Sequence, residues 1–116
     1  MYQKTGQNEK LFLIYEKKKD FEKAVKYLKL LGEDKEQLKK EGETFLQKRR
    51  YLQALIRFFV VGDNKGIGES YYKMKKYRES IEYFEVAGDS YSAANAYYKI
   101  KDYQNAAKAY LDSQED

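Results

Sequence analysis

One spacing recurs four times along the chain, and it constrains the fold more than any other feature. A small residue is followed after three positions by an aromatic, after nine more by a second small residue, and after four more by a second aromatic. The copies lie at Phe12, Tyr15, Ala24 and Leu28; Gly42, Phe45, Ala54 and Phe58; Gly68, Tyr71, Ser80 and Phe84; and Ala94, Tyr97, Ala106 and Tyr110. Units of this length cannot bury an apolar face alone, so the pattern predicts a stacked helical solenoid.

Turn signals divide the chain into helices. Gly32, Gly62 and Gly88 each follow an apolar helix end, where glycine can adopt the left-handed conformation that closes a helix. Weaker breaks lie midway through each unit, at Lys19-Asp20, Arg49-Arg50, Lys76-Tyr77 and Lys101-Asp102. We therefore expect one domain over 1–116, with repeats at about 7–32, 33–62, 63–88 and 89–116. Its eight helices are predicted at roughly 7–18, 20–31, 34–48, 51–61, 64–75, 78–87, 90–100 and 103–113.

The small residues predict how paired helices meet. Ala54 in a second helix should face Gly42 in the first, so that the two backbones approach closely, and the flanking aromatics should lock the pair to its neighbour. Phe12 fits this scheme poorly, because the other copies have Gly or Ala at its position. We expect the first unit to be a divergent cap.

Composition excludes several kinds of function. The chain has no Cys and no His, which removes disulfides, thiolate metal sites, the commonest general base and the commonest metal ligand. We expect no enzyme, no metal and no cofactor. Gly66-Ile67-Gly68 lacks the strand and the Gly-Lys-Ser/Thr signature of a nucleotide loop. The longest apolar run, residues 11–15, is too short to cross a bilayer, so a soluble cytoplasmic protein is expected.

The spaced residues resemble the tetratricopeptide repeat over about residues 8–113. The family's unit is 34 residues long and usually ends in proline, whereas the units here repeat every 26 to 30 residues and contain no proline. The short unit is more similar to the compact repeats of intraflagellar-transport, vesicle-coat and helicase-appended proteins. This resemblance implies a right-handed α-solenoid of four antiparallel helix-turn-helix repeats. It also implies a scaffold that holds neighbouring subunits or extended peptides. Such a scaffold could belong to a larger multi-subunit assembly.

The same resemblance places the first helix of each pair on the concave surface. The predicted partner-binding residues are Lys65, Tyr72, Lys73, Tyr91, Asn95, Tyr98 and Lys99. Tyr72 and Tyr98 each follow a tyrosine of the packing motif, and so point in another direction. They could clamp an acidic or aromatic peptide, or they could fill the groove between helices. Glu43 and Glu69 stand where a carboxylate clamp would need cations, which disfavours a chaperone-tail ligand.

Charge suggests an alternative partner. Residues 1–58 carry a net +6 and residues 59–116 a net −2. The basic runs at 17–19, 39–40 and 48–50 could contact the phosphates of a nucleic acid, with interleaved aromatics for stacking. The runs at 17–19 and 48–50 also fall at predicted helix C-termini, where cations are favourable in any case. A further expectation is that the face of the C-terminal helix, which no ninth helix covers, meets another copy of the chain, a partner or later repeats; self-association through this helix is one of these alternatives.

Overall fold

The chain is all-α in a computed structural model that describes residues 2–114, with side chains from residue 6 onward. This described part contains eight helices and no strand. The helices are α1 (Tyr2–Lys17), α2 (Phe21–Leu31), α3 (Lys35–Gln47), α4 (Tyr51–Val61), α5 (Asn64–Lys73), α6 (Tyr77–Val86), α7 (Ser90–Lys99) and α8 (Tyr103–Gln114). The all-α helical-repeat fold predicted from the sequence is confirmed. None of the described helices is both long enough and apolar enough to span a membrane.

Most helices begin and end within about two residues of their predicted positions, and α1 is the exception. It begins at Tyr2 rather than near residue 7. The prediction started α1 where the apolar pattern begins. A helix can extend beyond that point, because the preceding segment contains no proline and its one glycine, Gly6, costs only about 1 kcal/mol relative to alanine.

Turns between successive pairs have the predicted chemistry. Gly32, Gly62 and Gly88 adopt left-handed conformations with φ of 62°, 81° and 74°. Asp34 and Asp89 then cap the next helix, each accepting a hydrogen bond from a backbone N–H of its first turn, at 3.1 Å in both cases. Glycine is free to adopt this backbone, and aspartate satisfies an unpaired helical donor.

Turns within each pair were predicted only as breaks, and their backbone is unusual. Lys19, Arg49, Lys75 and Lys101 all have positive φ, between 60° and 66°. The next residue in each turn donates its N–H to the carbonyl of the first-helix aromatic, as Lys76 does to Tyr71 at 2.9 Å. This is a Schellman closure in which Lys or Arg occupies the place usually taken by glycine.

The first of two compact units ends at Asp63 and contains two hairpins, α1–α2 and α3–α4. The hairpins meet where α2 packs on α4. Ile56 on α4 is fully buried in a cluster with Phe12 and Leu28, and Phe21 packs edge-on against Phe59 with ring centroids 4.9 Å apart. Because α4 packs on both sides, it is apolar around most of its circumference.

The second unit begins at Asn64 and contains α5 to α8. Each helix in it packs on the next along the chain: α5 on α6, α6 on α7 and α7 on α8. Ile81 and Phe84 of α6 and Ala93, Ala94 and Ala96 of α7 are buried, together with Ser70 and Ser80. This unit therefore forms a continuous up-and-down row of helices.

The small motif residues are buried in both units, as predicted, but the contact at the glycines differs from the expectation. A Cβ on Gly42 would lie 2.9 Å from the nearest ring atom of Phe58, and one on Gly68 would lie 2.8 Å from the ring of Phe84. The glycines thus make room for the aromatic ring of the paired helix. Phe12, which was expected to fit poorly, is buried.

Candidate partner-binding groove

A cavity of about 230 Å³ lies in the second unit, where α5, α6 and α7 meet. It is lined by Glu69, Tyr72, Lys73, Phe84, Ser92 and Asn95. The rings of Tyr72 and Phe84 supply apolar surface, while the other residues supply a carboxylate, an ammonium, a hydroxyl and an amide. Aromatic surface combined with a few polar groups is typical of sites that bind a side chain or a short segment.

Further tyrosines are linked to this cavity through Tyr110, whose hydroxyl bonds to Asn95 in the lining and whose pKa is raised by Tyr91 and Tyr98. We call the cavity together with Tyr91, Tyr98 and Tyr110 the tyrosine groove. Tyr91 packs edge-on against Tyr110 with ring centroids 5.8 Å apart. Tyr91 and Tyr98 remain 61% and 58% exposed, so their rings are available to a partner. Tyrosine contributes large contact area with little loss of side-chain entropy, which is why it is enriched in binding surfaces.

Tyr72 and Tyr98 occupy equivalent positions in successive pairs and make equivalent contacts. Tyr72 packs edge-on against Tyr77 at 5.1 Å between centroids, and Tyr98 packs against Tyr103 at 5.5 Å. Tyr72 also meets the ring of Phe84 at 6.4 Å. Tyr72 therefore fills space between helices, whereas Tyr98 is exposed on the surface.

The hydroxyl of Tyr110 fixes the orientation of Asn95. It donates a hydrogen bond to Asn95 Oδ1, so the amide N–H groups of Asn95 are the ones left to donate to a ligand. Burial raises the pKa of Tyr110, and the neighbouring phenols of Tyr91, Tyr72 and Tyr98 raise it further. The pKa of Tyr72 is also raised, first by burial and then by Tyr77. Tyr72 and Tyr110 are therefore neutral hydrogen-bonding groups at physiological pH.

Not all predicted site residues join the cavity. Tyr72, Lys73 and Asn95 line it, whereas Lys65, Tyr91, Tyr98 and Lys99 lie outside its lining. Lys65 forms an ion pair with Asp89 at 3.8 Å, and Lys39 forms the repeat-equivalent pair with Asp63 at 3.9 Å. This recurrence gives Lys65 a structural role in joining the first helix of a pair to the turn that follows the second helix.

Sequence reasoning missed three residues of the groove. Phe84 belongs to the packing motif and lies against Gly68. That its ring also lines the cavity is apparent only from the tertiary structure. Tyr110 was assigned to packing alone. Ser92 precedes Asn95 by one helical turn, a spacing that places both on one face of α7 and that could have identified it.

The first unit contains a buried ionic cluster that was not predicted from the sequence. Arg57 on α4 is only 7% exposed, and its guanidinium lies 4.5 Å from the ring centroid of Phe45. It donates hydrogen bonds to Glu16 and Glu41, the latter at 3.5 Å. The cluster ties α1 to α3 and α4, because Glu16 belongs to the first hairpin.

The basic runs of the first unit are exposed on the surface, apart from the contacts made by individual lysines. Tyr15 and Tyr27 stack on one another at 5.6 Å, and the ammonium groups of Lys18 and Lys23 lie over Tyr15 at 6.0 and 5.1 Å. These two rings are thus already occupied by each other and by lysines. Among the described residues, no cluster of three or more acidic side chains is placed to hold a metal.

Comparisons with known proteins give no further guide: no protein-family model and no curated protein matches this sequence.

Proposed function

We propose that the protein is a non-catalytic interaction scaffold of the tetratricopeptide-like kind, which binds a peptide segment or a neighbouring subunit in the tyrosine groove. The observation that carries the proposal is the cavity lined by Tyr72, Phe84 and Asn95, with exposed Tyr91 and Tyr98 beside it. An aromatic or apolar side chain of the partner would enter the cavity, and the phenol rings would cover the adjacent backbone.

The polar groups of the groove favour an uncharged or mildly acidic segment. Lys73 and the amide N–H groups of Asn95 can donate to carbonyl or carboxylate oxygens of the partner. Glu69 lies in the same lining and opposes a dense cluster of negative charge. Recognition would therefore rest on shape, aromatic contact and a few hydrogen bonds, and should weaken only slightly as salt is added.

The test is capture of partners from a nuclease-treated lysate of the source cells, followed by mass spectrometry. The test variant is Tyr91→Ala/Tyr98→Ala, which removes two exposed rings and leaves buried Phe84 in place. Ile14→Ala is the control, since it removes an exposed apolar side chain from the first unit. A discrete protein retained by the wild type and the control, but lost from the groove variant, supports the proposal.

Two results would count against it. Equal capture by the wild type and a folded groove variant would place the contact elsewhere. Recovery of nucleic acid alone before nuclease treatment, with steep loss on added salt, would move the function to the basic runs in residues 17–50.

A further inference from the structure

Two helices in different units present outer surfaces built on the same plan. The α2 outer face consists of Glu22, Lys23, Lys26, Lys29 and Leu30, and the α6 outer face consists of Arg78, Glu79, Glu82, Glu85 and Val86. Each residue of one face has its repeat equivalent in the other, at the same distance from the aromatic that begins the helix. At 3.6 residues per turn, either set covers about one third of the helix circumference, on the side opposite the buried residues of that helix. All ten residues are exposed.

The charge of every charged position is inverted between the two faces. Glu22 corresponds to Arg78, and the three lysines of the α2 outer face correspond to the three glutamates of the α6 outer face. The buried residues on the opposite side of the two helices also correspond, since Ala24 and Leu28 of α2 match Ser80 and Phe84 of α6. The two faces are therefore alike in shape and complementary in charge.

The fold itself does not require this inversion. The partial negative charge at a helix C-terminus favours Lys29 and disfavours Glu85, although both occupy the same place in the last turn. The lysines of one face, and the glutamates of the other, recur every three residues, so like charges are neighbours on each helix. No ion pair within residues 6–114 neutralises any of the eight charged side chains. Contact between the two faces would bring opposite charges together and reduce the repulsion among like charges on each helix.

Aromatic contacts already hold several of these long side chains. The ammonium groups of Lys23 and Lys26 lie over the rings of Tyr15 and Tyr27, at 5.1 and 5.5 Å. Glu85 accepts a hydrogen bond from the hydroxyl of Tyr97 at 3.0 Å. Side chains that are restrained before binding lose less entropy on binding, so the charged side chains of the two outer faces are partly preorganised.

We infer that the protein self-associates, with the α2 outer face of one copy bound to the α6 outer face of a second copy. The α2 outer face carries three lysines and one glutamate, and the α6 outer face carries three glutamates and one arginine, so contact between the two faces is electrostatically favourable. Leu30 and Val86, which are 57% and 68% exposed, add an apolar side chain to each face.

The association should be weak and dependent on salt. Exposed ion pairs each contribute little to affinity, and added electrolyte screens them. The contact uses neither Tyr91 nor Tyr98, so it is separate from the tyrosine groove. It also differs from the α8 contact expected from the sequence, which would rely on apolar Leu111.

Charge exchange tests the inference by sedimentation equilibrium of the full chain at low and high salt. Lys26→Glu/Lys29→Glu reverses the α2 outer face, and Glu82→Lys/Glu85→Lys reverses the α6 outer face. Each double variant is expected to lower the association constant about tenfold. The quadruple variant restores complementarity with the signs exchanged, and is expected to associate as the wild type does. Lys35→Glu/Lys40→Glu is the control for added negative charge, and circular dichroism checks that every variant is folded.

Recovery of association in the quadruple variant cannot arise from misfolding or from net charge, so it would support the inference directly. A wild type that stays monomeric at low salt and high concentration would overturn it. So would association that survives both double reversals but is lost in Leu111→Ser, because the contact would then lie on α8. Tyr91→Ala/Tyr98→Ala should leave self-association unchanged, which separates this result from that of the partner-capture experiment.

Discussion

Gly68 lies beneath the ring of Phe84, and Gly42 lies in the same way beneath the ring of Phe58. In both pairs the first helix has glycine where the second helix has phenylalanine. The first pair differs, because the large ring of Phe12 is on its first helix and the smaller Leu28 is on its second, and both residues are buried. The helix that supplies the aromatic ring therefore differs between pairs.

Gly68→Ala should therefore destabilise the protein, although alanine is the better helix former. The added Cβ would lie 2.8 Å from Phe84, so overpacking should outweigh the gain in helix propensity and leave a net loss of about 1 kcal/mol. Urea unfolding measures the loss. Gly6→Ala is the matched control and should stabilise, since nothing lies within 4 Å of its new methyl group. Combining Gly68→Ala with Phe84→Leu should cost less than the sum of the two, and full additivity would contradict the steric account.

Arg57 is the other single position on which stability depends strongly. Arg57→Met keeps much of the apolar contact with Phe45 but leaves the carboxylate of Glu16 without its partner. This loss is costly because the Glu16 side chain is only 12% exposed and water cannot replace the guanidinium fully. We expect a loss of about 3 kcal/mol in the free energy of unfolding. Arg57→Met/Glu16→Gln removes both charges and should recover most of the loss. If the double variant is no more stable than Arg57→Met, packing rather than the ion pair is responsible.

Among the elements, the turns inside each helix pair carry measurable strain. Lys75 has φ of 65°, a conformation that costs an L-residue about 1 kcal/mol or more. Lys75→Gly should raise the free energy of unfolding by about 1 kcal/mol, measured by thermal or urea unfolding. Lys75→Ala removes the same charge but keeps the Cβ, and should give no comparable gain. Equal effects of the two substitutions would show that charge, not backbone conformation, sets the stability of this turn.

The elements also show how far sequence can predict this protein. Helix positions and glycine caps followed from spacing, because periodicity and turn chemistry are local properties. The left-handed conformation of Lys75 was not apparent, since lysine has no preference for it. The packing of α2 on α4 and the burial of Arg57 depend on contacts between residues distant in sequence. Likewise, the resemblance to tetratricopeptide repeats predicted Tyr72 and Asn95 as binding residues, and both line the cavity, whereas the place of Phe84 in that lining required the tertiary structure.

Over the whole molecule, the titratable groups predict an unusual dependence of stability on pH. The chain has 13 tyrosines and no histidine or cysteine, so few side chains change charge between about pH 6 and 9. Burial raises the pKa of Tyr71, Tyr72, Tyr97 and Tyr110, and for Tyr97 the hydrogen bond to Glu85 adds to this. Folding therefore favours the neutral phenols.

The sign of the effect follows from linkage. A group whose pKa is raised by folding contributes its full stabilisation below the pKa of the unfolded chain, and loses it as pH rises through the higher, folded value. The free energy of unfolding should thus be nearly constant from about pH 6 to 9 and fall above about pH 10. Urea unfolding across this range measures the fall, while tyrosinate absorbance shows whether the folded protein ionises later than the unfolded one. Tyr72→Phe/Tyr97→Phe removes two of the four phenols whose pKa is raised, so the free energy of unfolding should fall less steeply above about pH 10. An unchanged slope would show that the titration of lysine, rather than of these tyrosines, causes the fall.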